Sequence, residues 1–206
     1  APPSFVDCVV APPPSMALEY ARKWLPELSQ PEADIIINRL RRGERLVTSS
    51  CGRFFDAVSA ILGVCQINRY EGQAAMELEA IAKADEAGVY PVQVKNQPGG
   101  FIMEVNSIWQ SIIDELEGGV APATIAARFH NSLAALFIET IRRVAEYSGI
   151  DQVVLSGGVF NNQLLLKLMV ESLKRNDMKV HVHRQVPTGD GGIALGQAAI
   201  ASEVTD

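Results

Sequence analysis

Residues 152–162 read Gln-Val-Val-Leu-Ser-Gly-Gly-Val-Phe-Asn-Asn, and this stretch decides the fold of the C-terminal third of the chain. The run from Gln152 to Leu155 has the apolar, β-branched character of a buried strand. Gly157 and Gly158 then turn the chain into a helix, and Lys179 to His183 alternates as a second strand. This order predicts a parallel or mixed sheet covered by helices, with adjacent parallel strands whose glycine turns open on one cleft.

Helical patterns dominate the residues before this stretch. An apolar stripe predicts one long helix that begins at Pro122 and stops at Gly149. The run from Glu71 to Ala87 is rich in good helix formers and predicts a second helix. Between them, Val89 to Val94 and Phe101 to Val105 are predicted to pair as strands around a Pro-Gly-Gly turn.

The chain divides by composition into a short linker and one lobe. Residues 1–15 contain Ala-Pro-Pro twice and are predicted to be a Pro-rich linker or the trailing edge of an upstream domain. Residues 16–206 are predicted to form the lobe, with a helical part at 16–88 and an α/β part at 89–206. Because Ala1 stands where a Met would begin a new chain, we expect a processed chain or a piece of a longer one.

The composition excludes several classes of function. The chain has 206 residues, of which 48% are hydrophobic, enough for a globular domain with its own core. Its net charge of −6 argues against nucleic acid as the main partner, because nucleic-acid binders carry a basic surface. No uncharged apolar run reaches the roughly 18 residues of a membrane span, and no signal-peptide pattern is present, so we expect no membrane partner and a cytoplasmic location.

The three cysteines are Cys8, Cys51 and Cys65. Their odd number and wide spacing argue against a disulfide framework or a zinc knuckle and favour reduced, mostly buried thiols. Cys51 follows a polar helix entry, so a nucleophilic thiol is the alternative interpretation there. No Ser/His/Asp or Cys/His set accompanies it.

The first candidate site is the glycine turn after the strand at 152–155. Such a turn directs backbone N–H groups and a helix N-terminus at one point, which suits an anionic or polar ligand. Glycines at 157 and 158 let a flat ligand approach the main chain closely. Asn161 or Asn162 is predicted either to cap the helix or to bond a ribose or base. A purely structural turn is the equal alternative.

The second candidate site is Asp190, which lies among glycines in the loop from Pro187 to Gly192. A carboxylate in this position suits a hard cation or a ribose hydroxyl. The alternative is an ordinary helix cap or turn residue. Two glycine loops at the same end of two parallel strands favour a ligand, because ligands bind at that edge in open α/β sheets.

The remaining candidates are weaker. Arg53 and Asp56 are three residues apart on one helix face, which predicts either a surface ion pair or a phosphate- and ribose-facing pair. His181 and His183 share one face of a strand, so they are either a zinc pair without an evident third ligand or exposed structural residues. His130 is predicted to be a packed or capping residue.

Five motifs in this order resemble the HypF family, the carbamoyltransferases of [NiFe]-hydrogenase maturation. The resemblance runs in register from about residue 45 to residue 201, which is far more specific than any single motif. The matching stretches are residues 49–58, 70–79, 129–134, 156–162 and 183–197.

The resemblance implies both a fold and a reaction. The C-terminal module of the family is similar to the tRNA threonylcarbamoyl transferase and to antibiotic O-carbamoyltransferases. It implies an α/β, helix-rich lobe of the actin and sugar-kinase (ASKHA, ribonuclease-H-like) type with a small mixed sheet. The family uses carbamoyl phosphate and ATP, through carbamoyl adenylate, to carbamoylate the C-terminal cysteine of HypE, and that group becomes a cyanide ligand of the hydrogenase iron.

The resemblance also implies site residues by alignment with the family motifs. Asp190 aligns with the aspartate that completes the metal site, and the acceptor thiol comes from HypE, so no catalytic residue is implied in this chain. The residues implied to bind the nucleotide are Asp56, Gly72, Gly157, Gly158 and Asn162.

The chain departs from the family pattern in ways that bear on function. It lacks the H-x-x-x-H pair of the metal site, the acylphosphatase-like domain, the zinc-finger cysteine pairs and the domain that forms carbamoyl adenylate. It therefore resembles the second lobe only, as a fragment or a split subunit that is inactive alone. Its implied partners are the missing first lobe and the upstream HypF domains.

A divalent metal (iron, zinc or magnesium) is expected only with the first lobe, because one carboxylate holds no transition ion tightly. The alternative function is a nucleotide-binding or interaction module without turnover of its own.

Overall fold

The computed structural model covers most of the chain and divides into two compact units, one ending at Leu136 and the other beginning at Phe137. The described residues are Lys23, Leu25, Pro26, 28–43 and 48–204. The predicted linker at residues 1–15, with Cys8, lies outside them. The predicted division at residue 88 separates helical from α/β sequence and stays a prediction.

Seven described helices and four described strands follow one another along the chain. The first unit holds α1 (Gln30–Arg41), α2 (Cys51–Ile61), α3 (Gln73–Ile81), β1 (Gln93–Gln97), β2 (Gly100–Glu104), α4 (Asn106–Glu117) and the first half of α5 (Pro122–Ser148). The second unit holds the rest of α5, β3 (Gln152–Leu155), α6 (Gln163–Arg175), β4 (Lys179–Val182) and α7 (Ile193–Val204). The long helix predicted from Pro122 to Gly149 is thereby confirmed.

The core of the first unit is centred on aromatic side chains of α2 and α5. Ser50 caps α2 by accepting a hydrogen bond from the backbone N–H of Arg53, which is the role that a serine before a helix ordinarily plays. One turn later, Phe54 and Phe55 are buried, and each packs edge-on against Phe129 with ring centroids 5.0 Å apart. Edge-to-face pairs of this kind contribute about 0.5–1.5 kcal/mol beyond the area they bury.

The helix predicted over Glu71 to Ala87 is wrong in its second half, because α3 ends at Ile81. Ala82 leaves the helical region with ψ 127°. The side-chain amide of Asn131, on α5, donates to the carbonyls of Glu86 at 2.9 Å and of Gly88 at 3.1 Å. The backbone N–H of Lys83, which a longer helix would bond to the carbonyl of Glu79, donates instead to the carbonyl of Ala123 at 3.0 Å. A tertiary partner therefore takes a backbone group that a longer helix would have used.

The predicted strand from Val89 is also displaced and begins only at Gln93. The backbone N–H of Tyr90 donates to the hydroxyl of Ser132 at 2.7 Å, so this segment is tied to α5 rather than to a second strand. The hairpin itself is as predicted, since β1 and β2 pair antiparallel around the Pro-Gly turn.

A charged cluster holds the same segment against α5. Arg128 contacts the carboxylate of Glu115 at 2.5 Å through Nη1 and that of Glu86 at 3.2 Å through Nε. The Nε contact is an ion pair without hydrogen-bond alignment. Tyr90 donates its hydroxyl to Glu115 at 2.6 Å. Burial, with the Glu115 hydrogen bond, raises the pKa of Tyr90 well above its ordinary value, so the phenol stays protonated and keeps donating.

In the second unit, β3 and β4 pair in parallel, with Leu155 opposite Val182, and α6 connects them. The prediction of adjacent parallel strands is confirmed. The prediction that β3 is buried is wrong except at Leu155, because Val154 is 67% exposed. Val154 pairs with the exposed His181, and no further element in the described part of the chain covers this face of the two-stranded sheet.

Among the described residues, no helix is both long and apolar enough to serve as a membrane-spanning segment.

Candidate functional site

The glycine turn begins where β3 ends. Gly157 has φ 110° and ψ 154°, a conformation that residues with a side chain avoid. A short 3-10 turn follows from Gly158 to Asn161, and Asn162 then caps α6. The side-chain oxygen of Asn162 accepts from the backbone N–H of Leu165 at 2.8 Å, and the side chain is buried. Of the two predicted roles for Asn162, the structure shows the cap.

The second glycine loop is bonded directly to the first. The backbone N–H of Gly157 donates to the carbonyl of Thr188 at 2.8 Å, and the Thr188 hydroxyl donates to the carbonyl of Gly157 at 3.2 Å. A Cβ on Gly189 would lie 3.4 Å from the Cα of Gly158, so the two backbones are in close contact. A Cβ on Gly192 would lie 2.6 Å from a backbone oxygen, which reserves that position for glycine. Both glycine loops therefore meet at one edge of the sheet, as predicted.

Asp190 opens the short 3-10 turn that leads into α7, and its side chain is exposed. Within the described ranges, its carboxylate makes no hydrogen bond or ion pair. The same described residues hold no group of three or more His, Cys, Asp or Glu side chains suited to a metal ion. Asp190 thus offers one unpaired carboxylate, which fits a single oxygen ligand of a hard cation but not a whole site.

Asp56 lies in the other unit, on α2, and its carboxylate already has partners. One oxygen accepts from the amide of Asn68 at 3.3 Å, and the other lies 3.2 Å from Nη1 of Arg53. The second oxygen is buried and makes no aligned hydrogen bond. The surface ion pair predicted as one alternative is therefore present, and a ribose hydroxyl would have to displace Arg53 to reach that oxygen.

Gly72 stands immediately before α3 in the same unit. It has φ 78° and ψ 3°, the left-handed region that favours glycine. Gly72 is the N-cap residue of α3, and no side-chain hydrogen bond caps this helix. A Cβ there would meet no atom within 4 Å, so backbone conformation rather than space explains the glycine.

The structure thus brings Gly157, Gly158, Asn162 and the Asp190 loop together in one unit, whereas Asp56 and Gly72 belong to the other. Nucleotide contact remains a prediction for each of the five nucleotide-binding candidates, and metal ligation remains one for Asp190.

The remaining titratable candidates are His130, Cys65 and Cys51, and burial decides the protonation of the first two. His130 is completely buried, and its Nδ1 lies 2.7 Å from the carbonyl of Ala126, so this nitrogen carries the proton. Burial lowers the pKa of His130 to about 4 and keeps the ring neutral. The prediction of a packed residue is confirmed. Cys65 is buried, which raises the pKa of its thiol. Cys51 is half-buried at the start of α2.

One contact escaped the sequence analysis. Nε2 of His183 lies 2.9 Å from the hydroxyl of Ser156. The alternation on one strand predicts only that His181 and His183 share a face, as a zinc pair or as exposed structural residues. The signal for the true partner is the parallel register, since Leu155 pairs with Val182 and the next residues on each chain are Ser156 and His183.

Comparison with known proteins gives a family. The family model described as "Carbamoyltransferase, Kae1-like Domain, second subdomain" matches residues 10–197. The carbamoyltransferase HypF of Rhizobium leguminosarum bv. viciae is 37% identical over 160 residues, covering 77% of this chain and 20% of that relative. The HypF of Rhodobacter capsulatus is 37% identical over 157 residues, covering 76% of this chain and 20% of that relative. The chain spans about a fifth of the length of these relatives.

Solved structures agree. A crystal structure of full-length HypF in the phosphate- and nucleotide-bound form matches with a TM-score of 0.82 at 33% identity, covering 92% of this chain and 30% of that one. HypF of T. kodakarensis matches with a TM-score of 0.75 at 30% identity, covering 93% of this chain and 25% of that one.

The predicted similarity to tRNA-modifying enzymes is also found. The tRNA N6-adenosine threonylcarbamoyltransferase of Prochlorococcus marinus (strain MIT 9312) is 29% identical over 176 residues, covering 78% of this chain and 48% of that relative.

The predicted fold class, a helix-rich α/β lobe of the actin and sugar-kinase type with a small sheet, is confirmed by these matches together with the element order. In place of one mixed sheet, the described strands form two separate two-stranded sheets, one antiparallel and one parallel. The chain belongs to the HypF carbamoyltransferase family, and it matches the second subdomain of the Kae1-like domain of that family.

Proposed function

We propose that this chain is the second lobe of a carbamoyltransferase that uses carbamoyl phosphate and ATP, through carbamoyl adenylate, to carbamoylate the C-terminal cysteine of HypE. That reaction serves the cyanide ligand of [NiFe]-hydrogenase in the cytoplasm. The observation that carries the proposal is the joining of two glycine loops at the carboxyl edge of β3 and β4 in a chain of this family. One HypF structure that resembles the chain is described as phosphate- and nucleotide-bound.

The glycine turn supports the nucleotide part of the proposal. Gly158 and the residues of its 3-10 turn precede α6 directly, so their N–H groups lie at the positive end of that helix. A Cβ on Gly157 or Gly158 would meet no atom within 4 Å, which leaves room for a ligand to approach the main chain. The turn would bind and orient the adenylate, and Asn162 would hold the turn in place through its cap.

Asp190 supports the metal part. Its free, exposed carboxylate suits one ligand position of a divalent cation, and the first lobe would supply the others. Such a cation, when bound, polarises the carbamoyl oxygen. This lobe would contribute orientation and one negative charge, and the attacking thiol would come from HypE.

An exposed apolar surface in the second unit supports the proposed contact with the first lobe. Helix α7 carries Ile193, Leu195 and Ile200, all more than half exposed, although the helix is predominantly apolar. Val154 is exposed on the open face of the sheet. Apolar residues exposed along a whole helix are typical of an interaction surface. We assign this surface to the first subdomain, whose existence the name of the matched second subdomain implies.

A second candidate function is a nucleotide-binding or interaction module without turnover of its own. It is favoured by the described residues, which hold no group of three or more His, Cys, Asp or Glu side chains suited to a metal ion.

Complementation separates the two functions. A HypF relative from which the matching second subdomain has been removed is mixed with this chain, ATP, carbamoyl phosphate and HypE. Carbamoyl transfer to the HypE cysteine is followed by mass spectrometry, with each protein alone as the control. The proposal expects transfer only in the mixture. Binding of ATP by this chain without any restored transfer would favour the module. If the chain neither binds ATP nor restores transfer, both functions are contradicted.

A further inference from the structure

Ser156 and His183 occupy equivalent positions at the ends of two paired strands. Leu155 pairs with Val182 in the parallel register, so the next residue on each strand stands beside the other. Side chains at such directly neighbouring positions lie on the same face of the sheet. The hydroxyl of Ser156 and Nε2 of His183 are 2.9 Å apart, which is a hydrogen bond.

This bond is one of three hydrogen bonds between the segment that follows β3 and the segment that follows β4. The next residue after Ser156 is Gly157, whose N–H and carbonyl both bond Thr188. One side-chain bond and two bonds to Thr188 thus hold the glycine turn against the loop that carries Asp190.

The turn needs such ties because its own conformation is unfavourable. Gly157 stands at φ 110° and ψ 154°, a conformation that only a glycine adopts readily and that persists where surrounding bonds determine it. A hydroxyl both donates and accepts, so Ser156 satisfies either tautomer of the imidazole.

We propose that His183 is a positioning residue of the nucleotide site: through Ser156 it holds the glycine turn in register with the Asp190 loop. The ligand in this statement rests on the proposed function, whereas the tie itself rests on the geometry alone. His183 acts through Ser156, so its removal loosens the turn and weakens nucleotide binding without removing a ligand contact.

Amide hydrogen exchange of the full chain without ligand tests the tie. The reporter is the N–H of Gly157, which the bond to Thr188 protects. His183→Ala and Ser156→Ala should each raise its exchange rate about fivefold, the equilibrium effect of losing one ordinary hydrogen bond. The double variant should exchange no faster than either single variant, because both remove the same bond.

Two variants make the exchange test specific. His183→Gln places an amide nitrogen near the position of Nε2 and should restore part of the protection. His181→Ala is the matched control, since His181 is exposed on the same face of β4, two residues away. It should leave Gly157 unchanged. An unaltered exchange rate in His183→Ala, or an equal rise in His181→Ala, overturns the proposal.

Calorimetric titration with ATP tests the consequence. His183→Ala and Ser156→Ala should weaken binding about fivefold, and His181→Ala should not. Faster exchange with unchanged ATP affinity would overturn the positioning role. If the parent chain itself binds no ATP, the nucleotide part of the proposed function fails, and the exchange rates alone decide whether His183 holds the turn.

Discussion

His130 shows how one buried side chain makes a fold sensitive to acid. It lies between the aromatic rings of α2 and α5, 5.2 Å from the ring of Phe55 and 5.8 Å from that of Phe129 between centroids. Burial lowers its pKa from the ordinary 6.5 to about 4. The unfolded chain therefore binds a proton at this residue at a pH where the folded chain does not.

The stability that His130 contributes when neutral should be present above pH 6.5 and be lost as the pH falls towards 4. The full loss corresponds to about 3 kcal/mol. Urea unfolding between pH 7 and pH 4.5 measures most of this loss, and His130→Leu should flatten that pH dependence. His181→Leu, at an exposed site, is the matched control substitution. A His130→Leu chain as acid-sensitive as the parent would contradict the assignment.

Asp190 presents the opposite case, a side chain that the fold does not need. Because its carboxylate is exposed and unpaired among the described residues, Asp190→Asn should change the stability by about 1 kcal/mol or less. It should nonetheless greatly reduce carbamoyl transfer in the complemented enzyme, because an amide is a poor ligand for a cation. Thermal melting and transfer are measured on one preparation.

Asp177→Asn is the matched control, since Asp177 is also exposed in a loop of the second unit. A variant at position 190 that melts normally and transfers at the parent rate would make Asp190 a turn residue only. One that fails to fold would make it structural.

At the scale of elements, the sequence predicted what local chemistry determines. Helix α5 was predicted nearly to the residue, because its apolar stripe is continuous and Pro122 and Gly149 mark its ends. Helix α3 is shorter than predicted, because the carbonyl that accepts the backbone N–H of Lys83 belongs to Ala123, about 40 residues away. No local pattern announces such a partner.

Prediction of the candidate site is limited in the same way. The sequence predicts the glycine turns, the isolated Asp190 and, from the order of the elements, the parallel pairing of β3 and β4. The bond between Ser156 and His183 depends on the register of two strands, which neither strand specifies alone. The hydrogen bond that the Asp56 carboxylate accepts likewise comes from Asn68, which lies in a loop after α2 and is not predicted by the pattern of that helix.

Asn131 should matter for the segment between α3 and β1. Asn131→Ala removes both bonds to that segment and leaves the two carbonyls without this donor, so we expect a loss of about 2 kcal/mol in urea unfolding. Asn96→Ala, at an exposed position of β1, is the control and should cost about 0.5 kcal/mol or less. Equal effects of the two substitutions would show that Asn131 does not anchor the segment.

At the scale of the whole molecule, helix α7 has an apolar composition typical of a buried helix, yet its large side chains are exposed to solvent. Ile200 is 68% exposed and Leu195 is 57% exposed on a helix whose residues are mostly Ala, Ile and Leu. The open face of β3 adds Val154. The composition of β3 predicts a buried strand and suits a covered sheet, but the described part of the chain leaves this face open.

Ile200→Glu should therefore leave the stability of this chain within about 0.5 kcal/mol of the parent, because the side chain is already in solvent. It should weaken complementation of the truncated HypF relative at least about tenfold, because a buried charge is costly in an interface. Ile67→Glu is the control, as Ile67 is 63% exposed in the other unit. Undiminished complementation by Ile200→Glu would remove α7 from the surface assigned to the first subdomain.

Gly157 is closed to other residues by handedness rather than by crowding. A Cβ of ordinary L chirality would meet nothing within 4 Å, so there is room for a side chain. The torsion angles of 110° and 154° lie in a region that essentially only glycine adopts, and an L residue there is strained by about 1–3 kcal/mol. A saturation library at this position should therefore enrich for glycine over large and small side chains alike. A D-amino acid introduced by chemical ligation should be tolerated better than its L counterpart, because inverted chirality moves these torsions to the edge of the extended region.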